Sequence, residues 1–162
     1  MNRNRFLSLF FTLFLIGGIC LGAYGKDLSP RVPLLTVVNE LEKIQGLSFI
    51  RLSSIELKDV TSGLIRKLAC SRKLCSHLHI PLQSGDDQIL KKMNRGYSGK
   101  DYLNKVMQLR RSVPRLAITT DVLVGFPGET EAQFQNTLML LKRVQPLKVH
   151  AFAYSRREGT LA

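Results

Sequence analysis

The decapeptide Asp121-Val-Leu-Val-Gly-Phe-Pro-Gly-Glu-Thr130 limits what this chain can fold into more than any other stretch. Its apolar half carries the β propensity of a buried strand. Gly125 and Gly128 let the backbone turn tightly or approach a ligand closely. Thr130 and Gln133 then stand at capping-box spacing ahead of an apolar helical pattern. A strand that passes through a Gly/Pro turn straight into a helix is the building unit of α/β folds, which place their chemistry at the C-terminal ends of their strands. A core strand followed by an ordinary tight turn would use the same residues, so the segment constrains the fold before it constrains the function.

The rest of the chain repeats that unit. Pro33 is placed as a first helical residue, and Leu34, Val37, Val38, Leu41 and Ile44 follow at helical spacing up to Gly46. Phe49 to Glu56 reads as a strand with a polar end, and Val60 to Leu68 as a helix. His77 to Gly85 reads as a strand and turn that places His77 and His79 on one face, with Pro81 marking the strand's end. Two imidazoles alone make a poor metal site, and no third ligand is near them in sequence. Ser84 with Asp87, and Ser98 with Asp101, are capping spacings for two further helices, the first closed by Gly96 and the second by Pro114. The last helix presents Phe134, Leu138 and Leu141 on one face. Parallel strands are therefore expected at 14–20, 48–54, 76–81, 116–124 and 148–154, with crossover helices outside them.

Composition narrows the function classes. At 44% apolar residues the chain is globular and not disordered. Its 24 Lys and Arg against 12 acidic residues give a net charge of +12, which fits a polyanionic partner such as RNA. Cys20, Cys70 and Cys75 make neither a disulfide framework nor a metal-cluster spacing, and no Cys-x-x-x-Cys-x-x-Cys occurs. Residues 1–15 stand apart: Arg3 and Arg5 precede an uncharged apolar run, as in a signal segment. That run is short for a membrane span. A secretory or anchoring segment, a buried strand or helix, and an aberrant start produced by truncation or frameshift all remain open for it. The missing neighbours of a parallel sheet make residues 16–162 read as part of a domain, marginal or aggregation-prone in isolation.

Five motifs together carry a family resemblance: Ile50-Arg-Leu-Ser-Ser-Ile-Glu56, His77-Leu-His-Ile-Pro-Leu-Gln-Ser-Gly85, Met93-Asn-Arg-Gly-Tyr97, Asp121 to Thr130, and Tyr154-Ser-Arg-Arg-Glu-Gly-Thr160. In this order they closely resemble the radical S-adenosylmethionine (SAM) methylthiotransferases. Within that family they look most like the branch that adds a methylthio group to N6-threonylcarbamoyladenosine in the anticodon loop of tRNA. Sister branches act on isopentenyladenosine in tRNA or on a ribosomal-protein aspartate. The resemblance implies an α/β fold, an incomplete radical SAM (β/α) partial TIM barrel of parallel strands with outer helices. It also implies S-adenosyl-L-methionine and 4Fe-4S clusters as cofactors, tRNA and an electron donor protein as partners, a cytoplasmic location and no membrane contact.

The resemblance further assigns candidate cofactor-binding residues. Gly17 and Gly18 match the turn that receives the amino-acid end of SAM. Ser53 and Glu56 stand at the rim of the next strand, Gln83 and Ser84 match a ribose-contacting position, and Arg95 is suited to the cofactor carboxylate. Asp121, Val124 and Gly125 match the adenine-contacting strand end. No catalytic and no metal-ligating residue is assigned. The cluster-binding cysteine loop is absent from the sequence, so this chain alone is expected to be inactive, and a non-catalytic SAM- or RNA-binding module is the alternative of a different class.

Overall fold

The computed structural model describes residues 21–156, and residues 12–16 as backbone. The elements run β1 (Thr12–Ile16), α1 (Leu34–Lys43), β2 (Leu47–Leu52), α2 (Ser62–Cys70), β3 (His77–His79), α3 (Asp87–Lys92), α4 (Gly99–Ser112), β4 (Ala117–Val124), α5 (Glu131–Val144) and β5 (Lys148–Ala153). β1 pairs parallel with β2, and β3, β4 and β5 pair parallel in that order. Parallel bridges Ile50–Leu74 and Ser54–His79 join the two groups, so the strand order runs from β1 to β5 across one curved surface. This is the expected α/β architecture of parallel strands with helices outside, not closed into a barrel.

Four strands fall within the expected ranges or one residue outside them. The first is displaced: β1 occupies 12–16 instead of 14–20, and residues 17–20 lie outside the described part. β1 therefore begins inside the segment, 1–15, for which a buried strand is one of the three open readings.

Alternation along the strands separates two faces. Leu78, Ile80, Ile118 and Val122 are buried with Tyr102, Val106 and Leu109 of α4 and with Leu140 and Val144 of α5. The opposite, inner face carries His77, His79, Asp121 and His150. Leu64, Ile65 and Leu68 of α2 extend the core towards Ile50 and Leu52 of β2.

Helix entries follow the sequence where a capping box is present. Ser98 and Asp101 cap α4 reciprocally, as do Thr130 and Gln133 at α5. Four boundary details differ from expectation. α3 is capped by Asp86, whose carboxylate accepts the Gln88 and Ile89 N–H groups, because the Ser84 hydroxyl is already engaged elsewhere. It ends at Met93, with Asn94 at φ 55 doing what was expected of Gly96. Pro33 is the cap of α1, not its first residue, and Thr61 caps α2. On α5 the buried stripe is Thr137, Leu140 and Val144, flanked by the expected Phe134, Leu138 and Leu141.

Beyond β3 the Ile80 and Leu82 N–H groups still donate to the Thr119 and Asp121 carbonyls, at 2.9 and 3.2 Å, and side-chain hydroxyls reinforce this stretch. Thr120 Oγ1 donates to the Ile80 carbonyl at 2.8 Å and accepts the Leu82 N–H at 2.9 Å. Tyr102 Oη reaches the same carbonyl at 2.7 Å and lies 3.1 Å from Thr120 Oγ1. Burial holds the Tyr102 phenol well above the usual tyrosine range, so it stays a donor. Thr120→Val removes the hydroxyl from the Ile80 carbonyl and leaves the Leu82 N–H only its 3.2 Å contact with the Asp121 carbonyl, and is expected to cost about 0.5–1.5 kcal/mol. Urea unfolding of the two proteins checks this; an unchanged midpoint would show the knot to be dispensable.

Candidate functional site at the strand ends

All the described strands point the same way, so the segments after β2, β3, β4 and β5 gather along one rim. After β2 come Ser53 and Glu56. Glu56 Oε1 accepts from Arg95 Nη1 at 3.1 Å, with both side chains half-buried. Tyr97 lies beside them and donates to the Pro81 and Leu82 carbonyls at 3.1 and 3.2 Å. Burial pushes its phenol up to about 12; the Arg95 charge opposes that rise and Glu56 adds to it. Glu56, Arg95, Tyr97, Asn104 and Lys105 help to line a cleft of about 650 Å³. Arg95, expected to meet the cofactor carboxylate, is thus already paired with a protein carboxylate.

The loop after β3 splits in two. Gln83 is at φ 68, and its backbone rejoins β4: its N–H donates to the Asp121 carbonyl at 2.8 Å, and its carbonyl accepts from the Leu123 N–H at 2.9 Å. Its side chain remains partly exposed at the rim. Ser84, expected beside it as a ribose contact, is fully buried: its hydroxyl lies 3.3 Å from Thr137 Oγ1 and accepts the Asp86 N–H at 3.1 Å. Gly85 donates its N–H to Thr137 Oγ1 at 2.8 Å, and a Cβ there would come within 2.5 Å of the Thr137 Cα. Ser84 and Gly85 fasten the loop to α5, which leaves Gln83 as the side chain facing the rim.

The turn after β4 is built differently. Gly125 is exposed at φ +75, and no atom lies within 4 Å of where a Cβ would stand. Its N–H donates to Glu129 Oε2 at 2.7 Å, folding the first acidic side chain after the turn back over it. Phe126 stacks edge-on against Tyr154 at 5.8 Å, closing the turn over the end of β5. Val124 is partly buried beneath it. This open backbone surface fits the close approach of a flat ligand. Gly17 and Gly18 lie outside the described residues.

One layer below the rim, the inner face is polar. Asp121 Oδ2 lies 3.0 Å from His79 Nε2, and Asp121 Oδ1 lies 3.3 Å from His150 Nδ1. The two imidazoles are stacked at 5.7 Å. His79 Nδ1 is 2.9 Å from Thr119 Oγ1, which is 3.2 Å from His77 Nε2, and Arg51 Nη2 also reaches that nitrogen at 3.2 Å. His77 and His79 share a face as expected, yet the carboxylate and second imidazole around His79 come from neighbouring strands. Sequence proximity could not show this; the β4–β5 register, which pairs Asp121 with His150, does.

The cysteines do not fit an iron–sulfur cluster. Cys70 is exposed and Cys75 is half-buried, no Cys-x-x-x-Cys-x-x-Cys is present, and among the described residues the one group of three potential metal ligands is His79, Asp121 and His150. No helix among the described residues is long and apolar enough to cross a membrane.

His77 yields a pH prediction. Burial, reinforced by the Arg51 charge and by His79, lowers its pKa from 6.5 to about 4. Between those values the unfolded chain binds a proton that the folded chain refuses, so stability is full above about pH 6.5 and declines towards pH 4. His77→Gln is expected to flatten that decline, measured as urea midpoints at pH 7.5 and 5.

The comparisons with known proteins follow the same motifs. Residues 25–141 match the model of the Radical SAM superfamily. Over 140 residues the chain is 45% identical to a tRNA-2-methylthio-N(6)-dimethylallyladenosine synthase of Clostridium tetani, and 43% identical to the protein of that name from Carboxydothermus hydrogenoformans. The alignments cover 86% of this chain but 31% and 32% of those proteins, so the chain spans about a third of their length. These relatives correct the expected branch: they carry the isopentenyl (dimethylallyl) adenosine name, not that of threonylcarbamoyladenosine. In fold, the chain matches the archaeal Methanocaldococcus infernus Elp3 with a TM-score of 0.57 at 17% identity, over 86% of this chain and 32% of that one. The strand order, the rim and the matched family model agree: the chain belongs to the radical SAM superfamily.

Proposed function

We propose that this chain supplies the later strands and the cofactor-facing rim of a radical SAM methylthiotransferase that modifies tRNA on the isopentenyladenosine branch. The observation that carries the reading is the 45% identity to a synthase of that branch, sustained over 86% of the chain. The basic balance of +12 supports a tRNA partner, since phosphate contacts supply most non-specific affinity. The reaction needs more than these residues: the cysteines that would hold a 4Fe-4S cluster are not in this sequence, and an electron donor would have to serve that cluster.

In this reading SAM lies along the rim. It would supply the radical and methyl chemistry when bound, while the chain holds and orients it. Gly125 and Val124 offer backbone and a low wall to a planar base, and Gln83 offers an amide to hydroxyls. Ser53 and Glu56 bring acceptor groups, Asp121 backs the rim from one layer below by accepting the Gln83 N–H on its carbonyl, and the resemblance adds Gly17 and Gly18 to the set. Arg95 reaches a ligand carboxylate only by exchanging it for Glu56. Ser84 contributes from beneath, through the loop that sets Gln83.

Gly125→Val tests this assignment, because a β-branched residue is strained at φ +75 and its side chain fills the open surface. SAM affinity, measured by calorimetry on the folded chain, is expected to fall at least about tenfold, with the far-ultraviolet spectrum unchanged. Equal affinity in the variant would remove the rim as the cofactor site.

A further inference from the structure

We infer that His79, Asp121 and His150 form a binding site for one divalent transition-metal ion on the inner face of the sheet. Nothing in the proposed function requires such a site, and the inference stands without it. The three residues come from three adjacent strands, β3, β4 and β5. Their ligand atoms lie within 4.8 Å of one another. A tetrahedral zinc ion bound at about 2.0–2.1 Å to nitrogen and 2.0–2.2 Å to oxygen sets its ligands about 3.3 Å apart. The observed 3.0 and 3.3 Å contacts to Asp121 are near that spacing, so small side-chain rotations admit an ion.

Burial and rigidity favour the site. The side chains of His79, Asp121 and His150 are 15, 22 and 39% exposed, partly desolvated yet reachable from the open side of the sheet. The strand register fixes their spacing: Thr119, beside Asp121 on the same face but for one intervening residue, pairs with His79, and Asp121 pairs with His150. Two imidazoles and one carboxylate make a ligand set suited to zinc or ferrous iron, and they leave further positions for water or another ligand.

Thr119 supplies the outer contact that a metal-binding imidazole needs. Without an ion, its hydroxyl can donate to His79 Nδ1 while the Nε2–H points at Asp121. With an ion on Nε2, the Nδ1–H donates to Thr119 Oγ1, and the hydroxyl proton turns to His77 Nε2, 3.2 Å away. One hydroxyl thus serves both tautomers of His79. The competing account is a network that only ties β3, β4 and β5 together, and it predicts no preference for metal.

The test uses the full chain with Cys20, Cys70 and Cys75 changed to serine, so that no thiolate reports. Cobalt(II) titration without SAM is expected to give visible d–d absorption that saturates at one equivalent and is displaced by zinc. His79→Gln, Asp121→Asn and His150→Gln are each expected to weaken binding by at least about tenfold, and Thr119→Val to weaken it less. Zinc should raise the thermal midpoint of the parent but not of Asp121→Asn. Far-ultraviolet spectra confirm that the variants fold. No saturable absorption, or equal affinity in Asp121→Asn and His150→Gln, overturns the inference.

Discussion

The hydrogen bonds around the Ile80 carbonyl hold the rest of this fold in place. Pro81 carries no N–H, but the pairing to β4 passes it on both sides: the Ile80 N–H donates to the Thr119 carbonyl and the Leu82 N–H to the Asp121 carbonyl. The chain stays on β4 beyond it, with Gln83 beside Val122. Thr120 and Tyr102 reinforce the stretch from the helix side with two hydroxyls that meet one carbonyl. The result is a strand that is short by ladder criteria but continuous in direction. Its turn presents Gln83 outward while Ser84 and Gly85 are fixed to α5 below.

The two faces of the sheet carry separate tasks for this reason. The helix side is apolar apart from Thr120, whose hydroxyl is fully engaged, and it supplies the burial that stabilises the domain. The inner side carries Arg51, His77, His79, Asp121 and His150, a density of hydrogen-bonding groups that would be costly in a closed core. Most of their cost is met by one another, Arg51 with His77, Thr119 with both histidines, and Asp121 between two imidazoles, while His77 Nδ1 is buried without a partner. Such a face is stable when open to solvent or filled with a polar ligand, and unstable when packed with hydrocarbon.

Periodicity and punctuation made the fold legible. The reciprocal capping boxes at Ser98 and Thr130 mark helix starts because both partners lie within four residues, so sequence contains the whole interaction. Ser84 misled for the opposite reason. Its spacing to Asp87 is right, but Thr137, more than fifty residues away, claims the hydroxyl and leaves Asp86 to cap the helix. The same division runs through the site. The turn at Gly125 was legible because a positive φ leaves its mark locally, whereas the His79–Asp121–His150 cluster exists only through strand register. The branch was beyond reach, since the motifs that carry the resemblance read as cofactor-facing and say nothing of substrate choice.

The rim combines a rigid side with an adaptable one, and the distribution follows from what holds each loop. Gly85 admits no Cβ against Thr137, and Asp86 accepts from Gln88, Ile89, Gln133 and Asn136, so the loop after β3 has little freedom to move. Arg95 and Glu56, in contrast, are held to each other by a single half-buried contact. An arriving carboxylate can compete for Arg95 at the cost of one ion pair, and the freed Glu56 remains beside a cleft that contains Lys105. Entry of an anionic ligand on that side would therefore be an exchange of partners, with no buried charge created. At Gly125 no exchange is needed, because the backbone surface is already open. A ligand that spans both would be oriented by the rigid Gln83–Gly125 half and retained by the exchange at Arg95.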